Sequence, residues 1–121
     1  MKSVFIVGSR KFFDDVQKFA EELKNNGIKA TTAGKWDKAK DDTLGTEKTA
    51  LLKAFEKIDK SDVVYIVAHG GYVGKSGVME IAYAYARNKE LISSHKIEEL
   101  SAQALITKIM TLKELIKYIK C

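Results

Sequence analysis

The chain has 121 residues, of which 45% are hydrophobic and 31% are charged, and it contains no proline and one cysteine. This length suffices for one domain with a buried core, and the apolar fraction excludes a disordered chain. No apolar run approaches the roughly 20 residues that a membrane span needs, so no membrane partner is expected. The apolar N-terminal stretch is too short for a secretory signal, and the lone Cys121 cannot form an internal disulfide. We therefore expect a cytoplasmic protein.

The net charge of +5 raises the question of a nucleic-acid partner. The cations are 19 lysines and only two arginines, Arg10 and Arg87. Base recognition and bidentate phosphate binding depend mostly on arginine. The lysines are also dispersed among acidic residues, which is typical of a solvated surface. A nucleic-acid partner is therefore the weaker interpretation of the charge.

Apolar β-branched runs alternate with stretches of helical periodicity along the first half of the chain. They predict, in order, a strand over 2–7, a helix over 12–23, a strand over 28–32, a loop over 33–45 and a helix over 51–58. Asn25-Asn26-Gly27 is a typical stop for the first helix. The loop is polar apart from Trp36, and we expect either a lid over a ligand or a mobile surface loop.

The alternation continues in the second half of the chain. It predicts a strand over 62–68, a glycine-rich loop over 69–77, a helix over 78–86 that stops near Asn88, and a strand over 91–93. Residues 97–109 fit one helix, although 104–110 also fit a short edge strand. Thr111 to Glu114 forms a capping-box pattern that opens a last helix. This order predicts an α/β fold with a parallel sheet of four to five strands and helices on both faces.

Ligands of such sheets bind beyond the carboxyl ends of the strands, so the loops that leave those ends are candidates for the site. The first loop is Gly8-Ser9-Arg10-Lys11. Gly8 permits close backbone approach, Ser9 offers a hydroxyl, and Arg10 can clamp an anion in two places. These residues predict an anion site, and the alternative is a tight turn capped by Ser9. Asp62 lies at the opposite end of its strand and is interpreted as a turn residue.

The second loop holds four of the eight glycines and precedes a helix. If Ser76 is the N-cap of that helix, a capping-box glutamate would stand at position 79, where the chain has Met79. Gly74-Lys75-Ser76 resembles the end of a P-loop, but the pattern needs glycine where His69 stands, which argues against a nucleoside triphosphatase. The loop instead predicts a backbone cradle for a phosphate or a ribose, with Tyr72 available to stack on a ring.

Glu80 follows this cradle, in apolar company, in the first turn or so of the helix. A carboxylate in such surroundings suits a nucleophile or a general base. The alternative is a carboxylate that only stabilises the helix N-terminus.

Two segments, SVFIVGSRKFF and KIDKSDVVYIVAHGGYVGKSGVMEIAYAYARNKEL, resemble the nucleoside 2-deoxyribosyltransferase-like family. The resemblance implies one such domain over 1–121 with a doubly wound, flavodoxin/Rossmann-like sheet. It also implies cleavage or transfer at the N-glycosidic bond of a deoxyribonucleoside or its 5′-monophosphate, without a cofactor or metal. The family glutamate that attacks the anomeric carbon corresponds to Glu80.

By the same resemblance, Gly8, Ser9 and Arg10 match the loop that holds a 5′-phosphate. The sugar and base are expected beside the second loop, at His69, Gly70, Gly71, Tyr72, Gly74 and Ser76. The family's catalytic aspartate corresponds to Ala54 here, so Glu56, Asp59 or His69 would have to replace it, and the motif glycine is Ala82.

Two functions therefore stay open: a glycosyl-transferring enzyme, and a non-catalytic module that binds or senses nucleotides on the same fold. We also expect a homodimer or higher homo-oligomer, with Tyr83 and Tyr85 as candidates for a helix interface.

Overall fold

The computed structural model describes residues 1–34 and 43–121. Within them, five strands form one sheet: β1 (Val4–Gly8), β2 (Ala30–Thr32), β3 (Val63–Val67), β4 (Glu90–Ser93) and β5 (Lys108–Ile109). The strand order is β2-β1-β3-β4-β5, and every neighbouring pair is parallel. This is the order of a flavodoxin-like, doubly wound sheet. The predicted fold class is confirmed.

Helices cover both faces of the sheet: α1 (Phe13–Asn25), α2 (Leu44–Asp59), α3 (Lys75–Ala86), α4 (Leu100–Leu105) and α5 (Leu112–Lys120). Side chains alternate along β3, so Tyr65 packs with α1 and α5, and Ile66 packs with α2, α3 and α4. Because both faces of β3 are buried, its sequence is a continuous apolar run. None of the described helices is long and apolar enough to cross a membrane.

Two helix starts differ from the prediction. α2 begins at Leu44, inside the predicted 33–45 loop, because Thr43 and Thr46 form a reciprocal capping box. α3 begins at Lys75, before the predicted start at 78, and its N-cap is Gly74 rather than Ser76. Residues 35–42, which include Trp36 of the predicted lid or surface loop, lie outside the described residues.

The ambiguous tail divides at Ile106. A single helix over 97–109 was wrong, since α4 ends at Leu105, and the edge strand exists but is only Lys108–Ile109. One contact within the tail and one with β4 accompany this division. The amide of Ile97 donates to Oε1 of Gln103 at 2.7 Å, and the hydroxyl of Thr107 donates to a carbonyl of β4 at 2.8 Å.

Polar contacts hold the amino ends of the strands together. The Ser3 amide donates to Oδ2 of Asp62 at 2.9 Å, which agrees with a turn role for Asp62. Glu90 accepts hydrogen bonds from Lys2, Lys108 and Tyr118 at 2.6–3.1 Å. Partial burial of Glu90 favours the neutral acid, but these hydrogen bonds outweigh it and lower the pKa of Glu90 to about 2. This end of the sheet is therefore stabilised by ionised groups.

Candidate functional site

A cleft of about 950 Å³ opens at the carboxyl ends of β1 and β2, between α1, α2 and the start of α3. Its volume is within the range of pockets that enclose small organic ligands. Seven of the predicted site residues line it: Gly8, Ser9, Arg10, Tyr72, Gly74, Ser76 and Glu80. Among the described residues, His69, Gly70 and Gly71 are not part of this lining.

The two predicted loops meet because their strands are neighbours. Gly8 at the end of β1 pairs with Val67 at the end of β3. A Cβ added to Gly74 would lie 3.9 Å from Oγ of Ser9, so the loops are in van der Waals range. A Cβ on Gly8 would overlap Cγ2 of Val16, so only glycine lets α1 pack this close to the strand end. The chain therefore forms its cleft at the point where the strand order reverses.

The first loop combines a structural and a potential ligand-binding role. Oγ of Ser9 accepts a hydrogen bond from the Lys11 amide at 3.3 Å and caps the short 3₁₀ turn Arg10–Phe12. Nη2 of Arg10 lies 2.7 Å from Oε1 of Glu47, in the first turn of α2. Glu47 also lines the cleft. Glu47 is not predictable from the sequence, since nothing local links two residues 37 positions apart.

The first half of the second loop packs away from the cleft lining. Nε2 of His69 lies 2.9 Å from Oδ2 of Asp15, and its ring meets the edge of Phe12 with centroids 4.9 Å apart. Gly71 has a φ of +82°, and a Cβ there would lie 2.9 Å from the carbonyl oxygen of Lys96. Residues 69–71 thus anchor the loop to α1 and to the segment after β4.

Tyr72 begins the half of the loop that faces the cleft. Nζ of Lys11 lies 4.3 Å from the centroid of its ring, and the ring of Phe12 is perpendicular to it at 6.2 Å. These contacts orient the ring while 42% of Tyr72 remains exposed. An oriented and exposed aromatic face is suited to stacking on a planar ligand.

Glu80 is the sixth residue of α3, so it lies in the second helical turn rather than the first. It lines the cleft, yet only 8% of it is exposed. Within residues 1–34 and 43–121, its carboxyl group has no hydrogen-bond partner. Burial disfavours the charged form and raises the pKa of Glu80 from the ordinary 4.5 to about 7. Near neutral pH this group can both accept and lose a proton.

The face of α2 that meets the cleft carries an alanine at the position where the family resemblance implies a catalytic aspartate. Ala54 is buried and lines the cleft, but a methyl group cannot transfer a proton. Glu56 is exposed and is not part of the lining. Asp59 accepts hydrogen bonds from the Tyr83 hydroxyl and from Nε of Arg87, all at 2.9 Å. Neither acid of α2 that was considered as a replacement faces the cleft.

The remaining polar lining is rich in cations and hydroxyl groups. Lys53 and Lys75 join Arg10, and Glu47 and Glu80 are the acids among the described lining residues. The cleft therefore has a positive balance that suits a polar or anionic ligand. No group of three or more metal-ligating side chains occurs in the described part of the chain.

Comparison with known proteins gives no match to a family model and no sequence match to a curated protein. Solved structures do resemble the chain. A conserved protein from Enterococcus faecalis V583 is 14% identical with a TM-score of 0.69, over 99% of this chain and 98% of that one.

A 2-deoxyribosyltransferase from Bacillus psychrosaccharolyticus is 12% identical with a TM-score of 0.69, over 96% and 91% of the two chains. A CMP N-glycosidase from Clostridium botulinum is 15% identical with a TM-score of 0.53, over 98% of both. At such identities the likeness concerns the fold. The chain has a nucleoside 2-deoxyribosyltransferase-like fold, as its sequence motifs predict.

Proposed function

We propose that the chain binds a deoxyribonucleoside or its 5′-monophosphate and cleaves or transfers at the N-glycosidic bond, with Glu80 as the nucleophile. One observation carries this proposal: a buried carboxyl group without a described hydrogen-bond partner lines a cleft of nucleoside size. The likeness to a 2-deoxyribosyltransferase and a CMP N-glycosidase supports the choice of chemistry.

In the proposed reaction, a carboxylate oxygen of Glu80 attacks the anomeric carbon as the C–N bond breaks. The electron pair of that bond leaves with the base, which takes up a proton, and a glycosyl ester of Glu80 forms. A second base then accepts the sugar in a transfer, or water accepts it in a hydrolysis. The carboxylate stabilises the oxocarbenium-like centre and divides one difficult step into two.

The other predicted site residues have roles that follow from their positions. Gly8, Ser9 and Arg10 would hold the 5′ end of the ligand, and Gly74 and Ser76 would border the sugar. Tyr72 would stack on the base. The prediction that His69, Gly70 and Gly71 lie beside the ligand remains a prediction. We propose that these three residues act by anchoring the loop that carries Tyr72.

Chromatographic detection of free base tests the proposal. The wild type is incubated with a panel of deoxyribonucleosides and their monophosphates, beside Glu80→Gln and Glu80→Ala. Loss of the nucleophile should reduce base release by at least about 100-fold, since a covalent step cannot proceed without it. Glu56→Gln is the matched control, because it removes an exposed carboxylate outside the cleft lining. Wild-type protein that releases no base from any of these compounds would contradict the proposal.

A second function, binding or sensing of nucleotides without turnover, is favoured by Ala54. No carboxyl group at that position can protonate a leaving base. This function predicts that nucleosides or nucleotides raise the melting temperature while no base is released. A ligand at 100 times its dissociation constant stabilises the fold by about 2.7 kcal/mol. The absence of any thermal shift across the same panel would exclude it.

We also propose that the protein is a cytoplasmic homodimer or higher homo-oligomer. The hydrogen bonds from Tyr83 to Asp59 lie within one chain, so Tyr85, which is half exposed on α3, is the better candidate for an interface. Sedimentation velocity on wild type and Tyr85→Lys tests this, because a charge at a helix interface should favour the monomer.

A further inference from the structure

Glu47 lines the cleft and pairs with Arg10, and it has no part in the proposed function. Arg10 follows β1 directly, and Glu47 projects from the first turn of α2. Their side chains meet at 2.7 Å, each about 41% exposed, and both residues line the cleft. The cation predicted to bind a phosphate is therefore in contact with an anion supplied by the protein.

This contact has different consequences for a charged and an uncharged ligand. A phosphate bound to the same guanidinium would lie on the order of 5 Å from the Glu47 carboxylate, where like charges repel. A neutral 5′-hydroxyl experiences no such repulsion, and it can donate a hydrogen bond to a carboxylate or accept one from a guanidinium. The pair thus disfavours a phosphate and tolerates a hydroxyl.

We propose that Glu47 determines the specificity of the cleft: by engaging Arg10, it selects uncharged nucleosides over nucleoside 5′-monophosphates. This inference rests on the proposed function and names the substrate class for the same site. Lys53 and Lys75 also line the cleft, so the discrimination does not come from the overall charge of the lining. It is local to the guanidinium of Arg10.

Isothermal titration calorimetry tests the inference with three ligands: a deoxyribonucleoside, its 5′-monophosphate and inorganic phosphate. The proteins are wild type, Glu47→Gln and the control Glu56→Gln. Glutamine keeps an acceptor for Arg10 and removes the charge. We expect Glu47→Gln to bind the monophosphate and inorganic phosphate about tenfold more tightly and the nucleoside within about twofold of wild type. The control should change none of the three affinities.

Several results would overturn the inference. The first is that Glu47→Gln changes neither the ratio of monophosphate affinity to nucleoside affinity nor the affinity for inorganic phosphate. Another is a wild type that already prefers the monophosphate, and a third is a variant that binds none of the ligands. Base release is measured on the same samples. If phosphate binding rises in Glu47→Gln while no sample releases base, the proposed chemistry fails and the role of Glu47 stands.

Discussion

Replacing Glu80 with glutamine is expected to stabilise the protein at alkaline pH. In the folded chain the pKa of Glu80 is about 7, whereas its ordinary value is 4.5. The unfolded chain therefore ionises this carboxyl more readily than the folded chain does. Between these two pH values the folded state holds a proton that the unfolded state has lost, so wild-type stability falls as the pH rises. Glutamine has no charge to bury, so the Glu80→Gln variant does not lose stability as the pH rises through this range.

The size of the effect follows from the two pKa values. Each pH unit between them corresponds to about 1.4 kcal/mol, so the full penalty is about 3 kcal/mol above pH 7 and vanishes below about pH 4.5. A buried amide can have its own desolvation cost, but that cost does not depend on pH. A comparison of thermal melts at pH 5 and pH 8.5 therefore separates the effect of ionising Glu80 from the desolvation cost of the amide. The advantage of Glu80→Gln over wild type should grow by about 10 °C between them.

Glu56→Gln is the control for this experiment, since it neutralises an exposed carboxylate of α2. Its melting temperature should follow the wild type at both pH values. If Glu80→Gln differs from wild type by the same amount at pH 5 and pH 8.5, the carboxyl group of Glu80 is not held in its neutral form by burial, and the reasoning fails.

Three further outcomes are expected. kcat/KM for base release should rise from pH 6 to pH 8 with a midpoint near 7, because the proposed nucleophile is ionised Glu80; a flat profile contradicts that role. Gly8→Ala should lower the free energy of unfolding in urea by about 1–3 kcal/mol through its clash with Val16, whereas Gly45→Ala, with no atom of the described residues within 4 Å of its added Cβ, should be harmless. Glu90→Gln should cost about 1–2 kcal/mol at pH 7, and the difference should shrink as the pH falls from 4.5 towards 2; equal losses at pH 7 and pH 2.5 in thermal melts would refute this.

The sequence predicts most of the fold because strand burial and helix periodicity are local signals. It fails where tertiary contacts set a boundary. The start of α2 was missed because the cap uses Thr46 where the familiar pattern has glutamate or glutamine. Serine is the more common N-cap residue, yet α3 starts before Ser76, because the carbonyl of the extended Gly74 accepts a helical hydrogen bond from the Val78 amide. The division of the tail at Ile106 depends on pairing with β4.

The residues of the cleft also divide into those that the sequence predicts and those that only tertiary packing brings there. Ligands of such sheets bind at the carboxyl ends of the strands. This rule indicates Arg10, in the loop after β1, and Glu80, in the helix that follows the loop after β3. Glu47 enters the cleft only through the packing of α2 across from β1, which no local pattern encodes. His69 leaves β3 at the expected end, but its ring pairs with Asp15 of α1, while Gly71 packs against Lys96 in the segment after β4.

The alanine at position 54 affects the proposed nucleophile as well as the leaving base. Burial is the cause of the raised pKa of Glu80, and no neighbouring carboxylate adds to it. An aspartate in place of Ala54 would add a third acid to the described cleft lining beside Glu47 and Glu80, and like charges would raise the pKa of Glu80 further. Less of the nucleophile would then be ionised at neutral pH, although the leaving base would gain a proton donor. With alanine there, Glu80 stays about half ionised at pH 7, and position 54 supplies no proton to a leaving base. Such a cleft should favour bases that leave readily without enzymatic protonation.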